Sequence, residues 1–558
     1  MTKETSAFDD AVSAIAQNLL VVAPPGCGKT ELLARRAELL IPTLSPNQKI
    51  LALTFSNKAK ANLNNRLMIV LGAERKRRYV TVHNFHGHAA EIVRSHGRTL
   101  GIDPEFEMPD KRTQADAIAP LLEGLSDNDA AELRTRIEND LREAKQGPRN
   151  DAQVMTTLTS TGIEQSQAIE SARQDEERLY FDDLLRHAQR LIRVQEVADL
   201  YRTHYGAILV DEFQDLSPQQ LDLALRSCDQ SRTFVGDPLQ GIYSWTGARP
   251  VEVERRLRRI SGPPAGLGVS YRSSPKVLAL LNIVSVALGR QALEPDDPSA
   301  WHDGGVTTGL AFDTGVQEAE FIEAVTARIL AKRPTATIGI ICRSGWRRKP
   351  IDTVFAKSTL PSTRWDLAVD DIRIVELISE AIARLGGSSD TDAIRTEVLA
   401  RIETNDVDTA AEVIDALEQL EELADQAGSV GAALAQLRVL DKGDTAIGPG
   451  VHLLNAHTGK GQQFDWVFIP GFENGNIPSF LAKGKVQIEE EFRVLLVMLS
   501  RARHGIILSR AKSLISKKGN TYSTKPSPWT NEVKVGLMAD KAELLAHIDS
   551  LPGEDAEP

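Results

Sequence analysis

One short segment constrains the fold of this chain more than any other. The apolar run Leu19–Val22 leads into Ala23-Pro24-Pro25-Gly26-Cys27-Gly28-Lys29-Thr30, and a helical stretch begins at Glu31. Glycines in such a turn let backbone N–H groups face an anion, and the following helix N-terminus favours negative charge. The segment therefore predicts a phosphate-binding loop between a strand and a helix, within an α/β domain that has a parallel sheet.

The chemistry expected at this loop is that of nucleoside triphosphate hydrolysis. Lys29 is placed to reach the β- and γ-phosphates, and the Thr30 hydroxyl is placed to ligate Mg²⁺. A second apolar run, Ile208–Val210, ends in the carboxylates Asp211 and Glu212. Asp211 suits a contact to the same Mg²⁺, and Glu212 suits a general base for the attacking water.

Further apolar runs mark the other strands of the fold. Each has the length of a buried strand and ends in loop-like sequence. A chain of 558 residues exceeds what one hydrophobic core usually supports, so two α/β domains are expected. The runs are Leu19–Ala23, Ile50–Phe55, Ala207–Val210 and Thr233–Val235, then Thr337–Cys342, Val451–Asn455, Trp466–Ile469 and Gly505–Leu508.

Composition limits the class of protein and its partners. Hydrophobic residues make up 42 % of the chain and charged residues 25 %, as in ordinary globular proteins. The polar N-terminus argues against a signal peptide. Cys27, Cys228 and Cys342 lie far apart without a CxxC pair or a His-rich partner, which argues against a zinc site, an iron–sulfur cluster or a disulfide framework, so a cytoplasmic protein is expected. With a net charge of −12, any nucleic acid must be held in a local groove.

Motifs along the chain resemble those of the UvrD/Rep-type helicases of superfamily 1. The phosphate-binding loop is the first of them, and the others follow in the family's order as far as about residue 510, which makes the resemblance highly specific. These are Thr54–Ala59, Asn84–His86, Phe181–Leu185, Asp211–Asp215, Gly236–Ala248, Ser270–Ser273, His457–Gly461 and Arg493–Ala502.

The resemblance implies an α/β fold of two RecA-like parallel-sheet motor domains, as in P-loop NTPases. Long polar helical sequence interrupts each domain, so each is expected to carry a helical insertion. The predicted boundaries are 1–90 and 200–265 for the first motor domain, 91–199 for its insertion, 266–365 and 448–545 for the second motor domain, 366–447 for its short insertion, and 546–558 for a disordered tail.

The resemblance also implies roles around bound ATP and Mg²⁺. Arg272 and Arg501 would act as arginine fingers that offset the charge developing on the γ-phosphoryl group. Gln240 would sense that group and couple hydrolysis to domain closure. The other implied nucleotide contacts are Tyr271, which would stack on the base, and Gly461 and Gln463, which lie near the expected ribose contact.

Another set of residues is implied to bind single-stranded DNA. Phe55, Tyr243 and Trp245 would offer aromatic faces, on which any base can stack, while Asn57 and His86 would hold the sugar–phosphate backbone. The family moves from 3′ toward 5′. The implied function is therefore an ATP-dependent helicase or translocase that acts on single-stranded and tailed duplex DNA.

The sequence departs from the family's pattern at several positions. Phe8 stands where a glutamine usually reads adenine, and Glu31 stands where an arginine often lies on the base. Weak discrimination between ATP, GTP and CTP is therefore expected. Thr246 replaces an arginine that often supports DNA binding, and Gln463 replaces a glutamate. Because the second insertion is short, duplex separation is less strongly implied than translocation.

Two other functional classes compete with this one. Asn57-Lys58-Ala59-Lys60 is superficially similar to the guanine-reading motif of GTPases, but Lys60 replaces the required acid, which excludes that class. The second class is a DNA-activated ATPase that signals to a separate nuclease, as in the helicase subunits of Gabija-type antiphage systems. Housekeeping DNA repair is the other candidate role, and the sequence leaves repair and defence open.

Overall fold

The protein is described by a computed structural model that divides into two compact units. The first unit comprises residues 1–24 and 28–267, and the second comprises 25–27 and 268–558. The structure describes residues 6–55, 57–106, 114, 117–122, 127–242, 249–365, 378, 380–385, 390–399, 447–456, 460–480, 482–516 and 520–553.

The described part of the first unit is built on one parallel sheet. Its strands are β1 (Asn18–Val22), β2 (Lys49–Thr54), β3 (Val80–Asn84), β4 (Tyr205–Val210), β5 (Ser231–Gly236) and β6 (Ala265–Gly266). They are ordered β3-β2-β4-β5-β1-β6, and every neighbouring pair is parallel. All six residues of β4 are buried, which is typical of a central strand covered by helices on both faces.

Helices surround this sheet. In chain order they are α1 (Ala7–Ser13), α2 (Lys29–Leu40), α3 (Asn57–Leu71), α4 (Ala73–Tyr79), α5 (Phe85–His96), α6 (Asp127–Ala144), α7 (Asp151–Thr161), α8 (Glu164–Asp175), α9 (Phe181–Leu191), α10 (Gln195–His204), α11 (Pro218–Ser227) and α12 (Pro250–Ser261). Several begin with a side-chain cap; the Ser217 hydroxyl, for example, accepts a hydrogen bond from the Gln220 N–H at the start of α11 (3.2 Å).

The helical insertion of the first unit is narrower than the predicted range 91–199. Helices α6 to α8 share a core of their own, which includes Ile137, Leu158 and Ile169. By contrast, Leu184 of α9 packs in the same core as Ile208 of the sheet. In the sequence of α9, charged residues stand between the apolar ones, so its apolar face is not evident from the sequence alone. The predicted range therefore includes a helix that belongs to the motor domain.

Buried ion pairs join α9 to the helices of the insertion. The Lys145 ammonium lies 2.9 Å from a carboxylate oxygen of Asp183, and both side chains are fully buried. Burial opposes ionisation of Asp183, but Lys145 and Arg186 hold the pKa of its carboxyl well below the usual range. Removing one partner of such a pair typically costs about 3–5 kcal/mol, because it leaves a buried charge uncompensated.

A buried histidine predicts acid sensitivity of the first unit. Burial lowers the pKa of His88 to about 4 from 6.5. The unfolded chain therefore binds more protons between these two values, so stability is fully present above pH 6.5 and falls as the pH drops toward 4, by roughly 3 kcal/mol. A His88→Gln variant should show a flatter dependence of its urea midpoint on pH over this range. Burial also lowers the pKa of the exposed His204, so the His204→Gln control should flatten the slope, but less than His88→Gln does. An equal slope in both variants would contradict the assignment.

The described part of the second unit contains a larger, mostly parallel sheet. Its strands are β9 (Val306–Thr314), β10 (Thr337–Cys342), β11 (Ser362–Arg364), β12 (Gly450–Asn455), β13 (Phe464–Ile469), β14 (Ala502–Ile515) and β15 (Thr521–Ser523). The order is β11-β12-β10-β13-β14-β15, with β9 pairing along β14. Only β15 runs antiparallel to its neighbour among these described strands. A separate parallel pair is formed by β7 (Val269–Ser270) and β8 (Glu294–Pro295).

The helices of the second unit follow the same alternation with strands. Those that the structure describes are α13 (Pro275–Ala287), α14 (Gly315–Lys332), α15 (Gly345–Phe355), α16 (Thr391–Leu399), α17 (Lys485–Leu499), α18 (Thr530–Lys534) and α19 (Lys541–Asp549). Most of the predicted insertion 366–447 lies outside the described residues, so only α16 and a few neighbours of it are seen.

The predicted fold class, α/β with parallel-sheet domains, is confirmed. The predicted disordered tail begins too early, because α19 continues to Asp549 and buries Ile548 in the core of the second unit. Residues 554–558 lie outside the described residues. No helix among the described residues is long and apolar enough to cross a membrane.

Candidate active site and nucleic-acid interface

The loop between β1 and α2 has the backbone geometry of a phosphate-binding loop. Gly26 and Gly28 have φ values of 82° and 81°, a region that favours glycine, and Gly28 caps α2, which starts at Lys29. The Ala23 N–H donates to the Gly236 carbonyl (2.9 Å) and so extends the pairing of β1 with β5. The buried methyl group of Ala23 is accommodated there, although a glycine is usual at this position.

Two carboxylates follow β4 and meet Lys29. The Lys29 ammonium lies 2.8 Å from Glu212 Oε2, in a partly buried pair. Asp211 is buried, and this burial, together with the neighbouring Glu212 carboxylate, raises its pKa to about 7 although Lys29 acts in the opposite direction. Adjacent carboxylates in a low-dielectric site are stabilised by a divalent cation, so this donor set fits Mg²⁺.

A chain of hydrogen bonds links Glu212 to Gln240. Glu212 Oε2 accepts from the Gln214 side-chain amide (2.7 Å), and Gln214 Oε1 accepts from the Asp237 N–H (2.8 Å). Asp237 Oδ2 in turn accepts from the Gln240 side-chain amide (2.8 Å). Gln214, Asp237 and Gln240 are all buried. Movement of the predicted sensor Gln240 would therefore be transmitted to the predicted base.

Gln214 and Asp237 were not among the predicted site residues. Gly236 makes their approach possible, because a Cβ at that position would lie 2.3 Å from Gln214 Oε1. The sequence indicated these two residues only through their positions in the motifs Asp211–Asp215 and Gly236–Ala248, which lie at the carboxyl ends of β4 and β5. Both residues hold other groups of the site in place, since Gln214 donates to Glu212 and Asp237 accepts from Gln240.

Two departures from the family's base-reading pattern have structural counterparts. The Phe8 ring packs beside the phosphate-binding loop, where a Cβ on Gly28 would lie 3.3 Å from Phe8 Cε2. The Glu31 carboxylate accepts from Arg35 Nε (2.8 Å) and also pairs with Arg66. An aromatic ring at residue 8 has no amide with which to distinguish nucleobases. Weak base discrimination stays a prediction.

The two predicted arginine fingers lie close together in the second unit. Arg272 Nη1 donates to the Ser500 carbonyl (3.3 Å), and Arg501 Nη2 donates to the Ser500 hydroxyl (2.7 Å). Arg501 is buried and also donates to the Val497 carbonyl (2.9 Å) at the end of α17. The C-terminal end of a helix favours cations, so α17 helps to hold this guanidinium in place.

The other predicted nucleotide contacts of the second unit are more exposed. Tyr271 is 52 % exposed. Gly461 lies in the left-handed region (φ 84°) in an exposed turn before β13, and Gln463 is exposed next to the buried Gln462. Position and exposure leave these three residues accessible to a ligand, and their roles remain predictions.

A cavity of about 820 Å³ in the first unit brings together two of the predicted DNA contacts. Phe55 and His86 both line it, and the His86 ring stacks on Phe181 with ring centroids 3.8 Å apart. Phe181 was not predicted as a contact, although its motif was noted. The charges lining the cavity are mixed, with the arginines Arg142, Arg193, Arg249 and Arg256 facing the acids Glu138, Asp182, Asp215, Asp222 and Glu252.

Aromatic surface, more than excess positive charge, is therefore the feature of this cavity that suits nucleic acid. Three predicted contacts cannot be placed: Tyr243 and Trp245 lie outside the described residues, and so does the side chain of Asn57 at the start of α3.

Comparison with known families decides which class of protein this is. The family model of the UvrD/REP helicase N-terminal domain matches residues 5–258, and that of the UvrD-like helicase C-terminal domain matches 372–513. The chain belongs to the UvrD/Rep-type helicases. The prediction of this family, and with it of an ATP-hydrolysing helicase enzyme, is confirmed.

Individual relatives agree with the family assignment. The chain is 28 % identical over 576 residues to the ATP-dependent DNA helicase UvrD2 of Mycobacterium tuberculosis, covering 95 % of this chain and 81 % of the relative. It is 23 % identical to the ATP-dependent DNA helicase PcrA of Staphylococcus aureus, covering 95 % and 86 %. DNA helicase II of Escherichia coli is 26 % identical, over 63 % of this chain and 50 % of the relative.

Proposed function

We propose that this UvrD/Rep-type helicase couples ATP hydrolysis to 3′-to-5′ movement on single-stranded DNA and thereby unwinds tailed duplexes. The observation that carries the hydrolytic part is the contact of Glu212 with Lys29 and, through Gln214 and Asp237, its connection to Gln240. A base is thus held beside the lysine of the phosphate-binding loop and joined to a residue suited to sensing the γ-phosphate.

Different residues of this chain bind the phosphates, hold Mg²⁺, activate the water and stabilise the transition state. The loop 23–30 binds the phosphates through backbone N–H groups and Lys29, while Thr30 and Asp211 would hold Mg²⁺. Bound Mg²⁺ neutralises charge on the phosphate oxygens. Glu212 accepts a proton from the attacking water, and the guanidinium groups of Arg272 and Arg501 stabilise the charge of the transition state.

Movement on DNA follows from stacking contacts that do not read sequence. Phe55 and the stacked pair of His86 and Phe181 supply rings within the first unit, and Tyr243 and Trp245 belong to the motif that carries Gln240. Every base has a π-face, so a motor that holds bases by stacking can step along any sequence. The 3′-to-5′ direction is proposed from the family resemblance alone.

The deciding experiment is ATP hydrolysis by the full chain with and without single-stranded DNA, paired with unwinding of duplexes that bear either a 3′ or a 5′ tail. Stimulated hydrolysis and unwinding of only the 3′-tailed duplex are expected. Unwinding from a 5′ tail would overturn the direction. Stimulation without unwinding would favour the alternative of a DNA-activated ATPase that signals to a separate nuclease, for which neither the described residues nor the relatives supply support.

A prediction about DNA binding arises from the stacked pair. Replacing His86 with Ala should weaken binding of a fluorescent single-stranded oligonucleotide about tenfold, because it removes the predicted contact to the sugar–phosphate backbone and the ring that stacks on Phe181, and one stacking surface is worth about 1–3 kcal/mol. Fluorescence anisotropy measures this directly. The matched control is His96→Ala on the same helix α5, since His96 does not line the cavity. Equal affinity of the two variants would remove the cavity from the DNA path.

A further inference from the structure

The neighbouring residues His302 and Asp303 meet His547, which is distant in sequence, in the second unit, and none of the three has a role in the proposed mechanism. His302 and Asp303 lie in a short helical turn before β9, and His547 lies on the last described helix, α19. One nitrogen of each histidine and one carboxylate oxygen of Asp303 lie within 4.8 Å of one another. His547 is half-buried, His302 is partly exposed and Asp303 is exposed.

The distances between these atoms are informative. His302 Nε2 lies 3.5 Å from Asp303 Oδ2, and His547 Nδ1 lies 4.0 Å from the same oxygen. These separations are longer than ordinary hydrogen bonds between such groups. They are close to the separation of about 3.3 Å expected between two ligands that each lie about 2.0–2.1 Å from a tetrahedral metal ion. Small side-chain rotations would close the remaining difference.

We propose that His302, Asp303 and His547 form a binding site for a divalent transition-metal ion such as Zn²⁺. Two imidazoles and one carboxylate are a ligand set that suits Zn²⁺, Ni²⁺ or Co²⁺ and disfavours Mg²⁺, which prefers oxygen ligands only. Asp303 has a φ of 47°, a left-handed conformation that aspartate adopts more readily than most residues, and its carboxylate lies near the imidazole of the preceding residue.

The groups around the three ligands indicate how a bound ion would affect the stability of the second unit. The Ser550 hydroxyl lies 3.0 Å from His302 Nε2, so the turn at 302–304 is already in contact with the segment that follows α19, and an ion bound at Nε2 would replace this hydrogen bond. A bound ion would link this turn to α19 through its ligands and so stabilise the folded second unit, by an amount that rises with the logarithm of the free ion concentration above Kd. Lys276 at the start of α13 acts electrostatically on His547 and would oppose a cation.

The test is isothermal titration of the metal-free full chain with Zn²⁺, with the thermal unfolding midpoint as a second readout. One strong site per chain and a higher midpoint are expected. His302→Ala and His547→Ala should each weaken that site by at least about tenfold, since losing even an outer hydrogen-bond partner of a metal ligand has effects of this size. Asp303→Asn, which keeps the side-chain size, should also weaken it.

Controls separate this site from binding to other surface histidines. The exposed His204→Ala of the first unit should leave the strong site unchanged. Lys276→Gln should tighten Zn²⁺ binding, an effect that adventitious binding elsewhere would not show. Unchanged Zn²⁺ affinity in both histidine variants, or the lack of any one-to-one site in the wild-type chain, would overturn the proposal. Each variant's melting curve without metal shows whether it is folded.

Discussion

Replacing Glu212 with Gln is expected to reduce ATP hydrolysis by about 10²–10⁴-fold while nucleotide binding is kept. An amide of the same size cannot accept a proton from water, but it can still accept the hydrogen bonds that Lys29 and Gln214 donate to Glu212 Oε2. Glu212 has a φ of 53°, and the substitution keeps a side chain of the same length on this constrained backbone. Steady-state turnover with saturating single-stranded DNA measures the loss, and a fluorescent ATP analogue measures binding.

The matched control for this variant is Glu38→Gln, which removes a carboxylate from the exposed side of α2. Its turnover should stay near the wild-type value, because surface ion pairs contribute little. Turnover of Glu212→Gln close to that of the control would exclude Glu212 as the base. Loss of nucleotide binding together with turnover would instead assign Glu212 the role of holding Lys29 in place.

Replacing Arg501 with Ala is expected to lower turnover by about 10³-fold or more, which is the effect typical of an arginine finger. Arg501→Lys should not restore it, because an ammonium cannot reproduce the planar, bidentate guanidinium. The effect should fall on kcat with single-stranded DNA bound, since the guanidinium acts on charge that develops only in the transition state.

Two further variants distinguish a loss of catalysis from a loss of folding stability in Arg501→Ala. Arg501 is buried and bonded to the Val497 carbonyl, so its loss could also destabilise α17. Arg272→Ala removes the second predicted finger from a less buried position and should lower turnover similarly. Arg503→Ala is the control, because Arg503 is half-exposed and makes a long 3.4 Å contact to Asp465. Wild-type turnover in Arg272→Ala and Arg501→Ala would refute the assignment of the fingers.

Comparison of the predicted with the observed strands shows which strands a sequence pattern can identify. Every apolar run predicted as a strand coincides with one, from β1 to β14, because a fully buried parallel strand is apolar on both faces. β3 and β9 were missed, and so were the short strands β6, β7, β8, β11 and β15. In β9, Thr307 and Thr308 are buried and the burial alternates after Gly309, so the strand has no continuous apolar run, and its place is decided by pairing with β14. Pairing partners are not encoded in the pattern of a single strand.

What the sequence by itself determined is local. Gly26 and Gly28 are required by the turn of the phosphate-binding loop, and Asp211 and Glu212 follow a strand wherever that strand is placed. Such features need only the backbone preferences and hydrophobicity of neighbouring residues.

The tertiary structure alone decided which distant residues meet. It brings Gln214 to Asp237, stacks His86 on Phe181, assigns α9 to the sheet core rather than to the insertion, and gathers His302, Asp303 and His547. The physical reason is that these contacts depend on the register of the sheets and on the packing of helices upon them. Both are set by the summed burial of the whole unit, which no short segment of sequence specifies.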